Sequence, residues 1–175
     1  MNRTAGIYLF LGVAAFAQSP VLRPGIRVEM AVTTSAAPMR QADEAGSRVV
    51  AVTSSGAVYW DAAQVTPAIL ANELRNARGA GVYVKADARA PYASVVAIFA
   101  TMRTAGAKGV TLLTSQPDPT EGRYATPKGI EVTFGAPADP REKAVVIDAA
   151  GPISFGEVVR VLDASRSSGA KVFFK

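Results

Sequence analysis

Two aspartates stand where an α/β protein could keep a working carboxylate: Asp87, just after an apolar run at 82–84, and Asp148, after one at 144–147. The ends of strands are where such folds gather ligands and acid–base groups. A lone carboxylate does little chemistry without a second acid, a glycine-rich phosphate loop or a metal partner, and neither aspartate has one near it in sequence. Asp87 is therefore expected to tether the loop before Pro91, and Asp148 the turn at Gly151-Pro152. Tyr59 and Trp60 could stack on a sugar ring, but consecutive strand residues point to opposite faces, so at most one looks outward. Core packing or sheet-edge cover is the expected role of both. Tyr92 falls on an apolar helix face and is read as a core residue whose hydroxyl reaches the rim. Lys108 and Lys171 follow glycine stops, where a cation complements the negative end of a helix. Gly79-Ala80-Gly81 is too short to cradle a phosphate. No catalytic, cofactor-binding or metal-ligating residue is expected, and the chain is expected not to be an enzyme.

The residue inventory points the same way. Among 175 residues there is no cysteine and no histidine, which excludes disulfides, thiolate or imidazole zinc sites and every imidazole-dependent triad. The 19 basic and 14 acidic residues are interleaved, so the net charge of +5 forms no concentrated patch and no nucleic-acid partner is expected. A 49% hydrophobic chain of this length fits one ordinary domain or two very small ones.

Residues 1–17 have the layout of a secretory signal: Arg3, an apolar stretch from Ala5 to Ala17, and Ala15-Phe16-Ala17 as a cleavage site before Gln18. The apolar stretch is about 13 residues, against the roughly 20 needed to cross a bilayer as a helix. The expectation is a periplasmic or exported protein, anchored in the inner membrane if the segment is not cut.

The elements that must position the candidates follow from periodicity. Residues 18–47 read as a strand and then a flexible linker, small, polar and aperiodic from Ala31 onward. Residues 49–52 and 57–60 around Gly56 predict a hairpin. Thr66 followed by Pro67 starts a helix with Leu70, Leu74 and Ala77 at helical spacing, which Gly79 can stop. A strand at 82–84 precedes a helix at 91–105 with Tyr92, Val95, Val96, Phe99 and Met102 on one face, and a strand at 110–113 follows. Residues 115–128, rich in proline, read as a linker. Strands are expected at 129–134, 144–147 and 171–174, with a helix at 154–167 opened by the capping box Ser154/Glu157.

Two stretches match at an offset of 63 residues. Tyr92, Val95, Val96, Phe99 and Met102 fall on Phe155, Val158, Val159, Leu162 and Ser165, while Arg103, Gly106, Ala107 and Lys108 fall on Arg166, Gly169, Ala170 and Lys171. Any two β-helix-β units share an apolar helix face and a glycine stop, which is one explanation of the match; the other is duplication, on which residues 129–175 are read as a partial second copy of a unit at 48–114, docked on it. A weaker echo sets 25–29 against 129–133.

The runs VVAVTSSGAVYWD at 49–61 and VYVKADARAPYASVVAIFATMRTAGAKGVTLLT at 82–114, with Ala86, Asp87, Pro91, Tyr92, Val95, Ala105 and Gly106 in register, resemble the periplasmic domain of the ExbD/TolR family of biopolymer transport proteins. GIRVEM resembles the segment after that family's membrane helix. The resemblance covers about residues 25–114 and implies a small α/β (α+β) fold, a twisted mixed sheet with helices packed on it. It also implies work beside a proton-channel subunit or other envelope proteins, peptidoglycan among the surfaces it could contact. A homodimer through sheet edges is a further expectation, because edge strands pair readily. The family's membrane helix carries an aspartate for proton use, whereas 6–22 here contain no Asp or Glu. The sequence thus implies either a transport component without the proton-carrying group or a stand-alone periplasmic binding module.

Overall fold

The computed structural model describes residues 26–44, 46–77, 81–115, 127–139, 141–148 and 151–175. Strand β1 (Ala37–Pro38) leads into a 3₁₀ turn (Arg40–Asp43) and then the hairpin of β2 (Arg48–Val52) and β3 (Val58–Trp60), followed by β4 (Ala63–Gln64). Helix α1 (Pro67–Asn76), β5 (Val82–Ala86), α2 (Tyr92–Thr104) and β6 (Gly109–Thr114) complete the first half. The second half is β7 (Lys128–Phe134), β8 (Ala144–Ile147), α3 (Phe155–Ser167) and β9 (Lys171–Phe174).

The nine strands among the described residues form one mixed sheet in the order β4-β3-β2-β5-β6-β7-β9-β8, with β1 beside the start of β7. β2, β5 and β6 run parallel, β7 turns antiparallel against β6 over Gly109↔Thr133 to Thr114↔Lys128, and β9 and β8 continue parallel to β7. Helices α1, α2 and α3 lie on one face. Alternate strand residues such as Val50, Val84, Leu112, Ile130, Val172 and Phe174 meet Leu70, Val95, Phe99, Phe155 and Leu162 in a single core. Both halves thus share one sheet and one apolar interior.

Local chemistry accounts for the helix ends. Thr66 Oγ1 accepts the Ile69 amide with Pro67 at the first helical position, and Ser154 and Glu157 form the reciprocal capping box. Pro91 offers α2 no side-chain cap. The amide of Tyr92 instead donates to the Ile153 carbonyl (3.0 Å), and that of Phe155 donates to the Ala90 carbonyl (2.9 Å). The first turns of α2 and α3 are tied to each other.

Three details differ from the sequence reading. Residues 31–44 pack on the sheet and do not dangle as a linker: Thr33 Oγ1 and Thr114 Oγ1 lie 2.7 Å apart in the interior, and Met39 and Ala42 cover Tyr83 and Leu113 on the face away from the helices. An apolar sheet face needs such cover, which composition alone does not announce. The strand expected near GIRVEM reduces to single bridges, Met30 with Asp87 and Val32 with Ser115. On α2 the buried stripe is Tyr92, Val95, Ile98, Phe99 and Met102, and Val96 is 36% exposed. α1 packs against α2 and draws the buried arc toward Ile98, leaving Val96 on the opposite rim. The signal at 1–17, Gly79-Ala80 and most of the 115–128 linker lie outside the described residues.

Candidate functional site

Asp87 follows directly after β5 and is 4% exposed. Its carboxylate accepts the backbone amides of Glu29 (3.2 Å) and Arg89 (3.0 Å) and two guanidinium bonds from Arg89, at Nε (2.9 Å) and a terminal nitrogen (3.0 Å). Arg89 also reaches the Glu29 carboxylate at 3.1 Å. The Arg89 hydrogen bond outweighs burial and holds the Asp87 carboxyl down at about 2. A carboxylate so occupied is a poor base: it pins the N-terminal segment to the loop before Pro91.

Asp148 lies at the end of β8, two-thirds exposed, paired with the Lys175 ammonium at 2.9 Å. It is not brought together with Asp87 into an acid pair by any hydrogen bond or ion pair among the described residues. Its charge does reach Tyr92: burial first, and the Asp148 charge second, push that phenol up to about 12. Tyr92 is a core residue whose ring lies 6.3 Å from that of Phe174. Trp60 joins the core beneath the helices, and Tyr59, next to it on β3, faces the other side.

Lys108 borders a shallow depression of about 330 Å³ with Glu131 and Thr133. The Lys171 ammonium pairs with the Glu142 carboxylate, and it is Lys143 that donates to the Ser168 carbonyl at the C-terminal end of α3. The glycine stop before Lys171 directs its chain into β9, so the cation completing the helix end comes from a distant loop.

Sequence reasoning also missed Asp163. Its carboxylate on α3 accepts the amides of Thr34 and Ser35 and both their hydroxyls, fastening residues 34–35 to the helix over a separation of about 128 positions. Nothing local in sequence signals that contact. Lys85 on β5 is half-buried between Ala51 and Leu113 on the neighbouring strands, and burial pushes its ammonium down. Among the described residues no cluster of three His, Cys, Asp or Glu could hold a metal, and no helix is long and apolar enough to cross a membrane. The arrangement offers ties between segments, sheet edges and shallow surfaces, not a converging set of reactive groups.

The model of the family described as Biopolymer transport protein ExbD/TolR matches residues 7–117. The chain belongs to the ExbD/TolR family. No curated protein and no solved structure gives a significant match. The mixed sheet with helices packed on it is consistent with an ExbD/TolR-like periplasmic domain, and membership supports a general part in biopolymer transport and envelope energy transduction. Members of this ExbD/TolR group are anchored in the inner membrane and present a periplasmic domain to other envelope proteins. The match ends at residue 117, before β7, so the second half of the sheet lies outside it.

Proposed function

We propose that the protein is an ExbD/TolR-like component of proton-motive-force-linked transport that acts through periplasmic protein or cell-wall contacts, without carrying the proton itself and without enzymatic activity. The observation that carries this reading is where the family match starts. Residue 7 lies inside the apolar N-terminal stretch, so the matched residues include most of that stretch as well as the domain. That supports a retained anchor over a cleaved signal. The same stretch has no acidic residue between positions 6 and 22, and a carboxylate is what takes up and releases a proton within a membrane. The proton-handling step is then left to a channel subunit beside it.

Absence of the carboxylate also favours a second reading, a secreted binding module uncoupled from transport. Affinity purification of the native protein from its membrane, with N-terminal sequencing of both membrane and soluble fractions, separates the two. Met1 in the membrane fraction, with a proton-channel subunit retained, is the expected result; Gln18 in the soluble fraction with no such subunit overturns it.

We further infer that residues 129–175 arose as a partial copy of the 48–114 unit. Helices α2 and α3 have the same length and start 63 positions apart, and the paired bonds at their first turns obey the same offset, Tyr92 to Ile153 and Phe155 to Ala90.

A further inference from the structure

At the 63-residue offset α3 stands for α2, and the two helices differ in what covers them. α1 lies against α2, where Ile98 is 2% exposed; its counterpart on α3, Val161, is 50% exposed. Val161 borders an apolar depression of about 320 Å³ between α3 and β8, walled also by Val146 and Val158. Its charges stand at one end. Asp148 follows the last residue of β8 and Glu157 sits in the first turn of α3, with Ile153 between them. The depression thus runs from an aliphatic end to one edged by two carboxylates, and no cation is among its lining residues. Asp148 is paired with Lys175, whereas Glu157 uses Oε2 on Ser154, and its Oε1 accepts no hydrogen bond among the described residues. The charge of Arg160 acts on Glu157 without closing an ion pair.

The described chain begins at Ile26, close to the acidic end. The Glu29 carbonyl accepts the Ala88 amide and the Ala88 carbonyl accepts the Gly156 amide, each at 2.8 Å. Hydrogen-bonded backbones lie about 4.8 Å apart, so Glu29 is within about 10 Å of Gly156, the neighbour of Glu157. Six residues of extended chain reach about 20 Å, enough to carry Arg23 from Glu29 to that carboxylate. Residues 18–25, QSPVLRPG, come immediately before Ile26. Moving back from Ile26 the sequence offers first a cation, Arg23, and then the aliphatic pair Leu22 and Val21. The depression offers its carboxylates and then its valines in the same order. Pro20 and Pro24 bracket the three residues in sequence and restrict the backbone, which lowers the entropy lost on docking.

We propose that residues 18–25 dock on their own chain, with Arg23 paired to Glu157 and Leu22 seated against Val161 and Val146. The segment gives α3 the cover that α1 gives α2. Docking within one chain gives up only the freedom of a short tether, so a single ion pair and a few aliphatic contacts suffice. In an anchored chain the docked segment holds the domain close to the membrane surface, and its release lends about 25 Å of reach. The depression belongs to the half that the family match does not cover, so the device is particular to this chain. The apolar stretch ends at Ala17, so residues 18–25 are present whether the chain starts at Met1 or at Gln18. The docking therefore stands or falls apart from the transport reading.

The chain has no cysteine, so Leu22→Cys with Val161→Cys supplies one thiol pair. Mild oxidation of the full chain should link the two within one molecule, at least about tenfold faster than Leu22→Cys with Ile69→Cys on α1. Ile69 is 45% exposed, so access alone does not separate the pairs. Arg23→Glu should slow the first linkage about threefold or more. A polarity-sensitive dye on Val161→Cys should report an apolar surrounding that Leu22→Asp abolishes and that vesicles of phosphatidylethanolamine and phosphatidylglycerol leave unchanged. Val161 lies outside the core, and an unaltered melting temperature in each cysteine variant shows that the fold is kept. Equal linkage at positions 69 and 161, linkage indifferent to Arg23→Glu, a linked product of dimer mass, or a dye signal that appears only with vesicles overturns the proposal. The last two would assign the surface to a second copy and to the bilayer.

Discussion

Asp87 shows how a residue placed where catalytic acids often sit can be committed to structure. Two amides and an arginine fork converge on a carboxylate with almost no solvent contact, and its proton is lost far more readily in the fold than in an open chain. The folded value, about 2, lies below the unfolded one near 3.8, so the stabilisation is complete above about pH 4 and fades as pH falls through 2. Its size is about 2 kcal/mol at neutral pH, less whatever solvent around the exposed Arg89 screens. Asp87→Asn should lower the denaturant midpoint at pH 7 and flatten the loss of stability between pH 4 and 2; a variant with the wild-type acid profile would show that the carboxylate does not carry the tie. Gly56 is constrained by sterics instead. It has φ of 83° in the β2–β3 turn, and a Cβ there would lie 2.5 Å from the Ser94 hydroxyl oxygen on α2. Gly56→Ala is expected to cost about 1–3 kcal/mol by chemical denaturation, with Ser94→Ala recovering only the part due to crowding, since the backbone strain remains.

At the scale of elements, what sequence could reveal was what is encoded within a few residues. The capping box at Ser154, the proline start of α1 and the hairpin around Gly56 are local signals, and each element lies within a residue or two of its expected place. Ser154→Ala should therefore remove about 1 kcal/mol, read as a drop in melting temperature that Glu157→Gln does not reproduce in full, because the side-chain amide introduced there keeps an acceptor oxygen for the Ser154 backbone. Elements defined by distant partners were not legible. The 3₁₀ turn and the Met39 contact exist because Tyr83 and Leu113 leave apolar surface on the far side of the sheet, and Asp163 finds Thr34 and Ser35 only once the chain has closed. Helix rotation belongs to the same class. Val96 and Val159 share a position in the offset pattern, yet the first is on the surface and the second in the core, because α1 covers one rim of α2 and residues 34–35 are bound to the other rim of α3.

For the whole molecule the decisive contact is the seam between β6 and β7, six residue pairs in antiparallel register that join the family-like half to the rest. Gly109 and Gly129 lie in that seam where a Cβ would come within 2.5 and 2.7 Å of the facing carbonyl oxygens of Val132 and Leu112, so the strands approach as only glycine permits. That seam could not be read from the repeat, since the offset predicts two similar units but not which of their edges meet. Nor could the exposed sheet edges, which become visible only when strand order is known. A chain ending at Thr114 would expose the β6 edge and strip the common core of Ile130, Val132, Phe155, Val159, Leu162, Val172 and Phe174. Each such side chain contributes about 1.5–3 kcal/mol by burial, and a domain's whole stability is roughly 5–15 kcal/mol. The shortened chain should melt well below the full one or lose its cooperative transition altogether by calorimetry. Equal melting temperatures would mean that the second half only leans on a self-sufficient family domain, and the single shared core described above would be wrong in energetic terms.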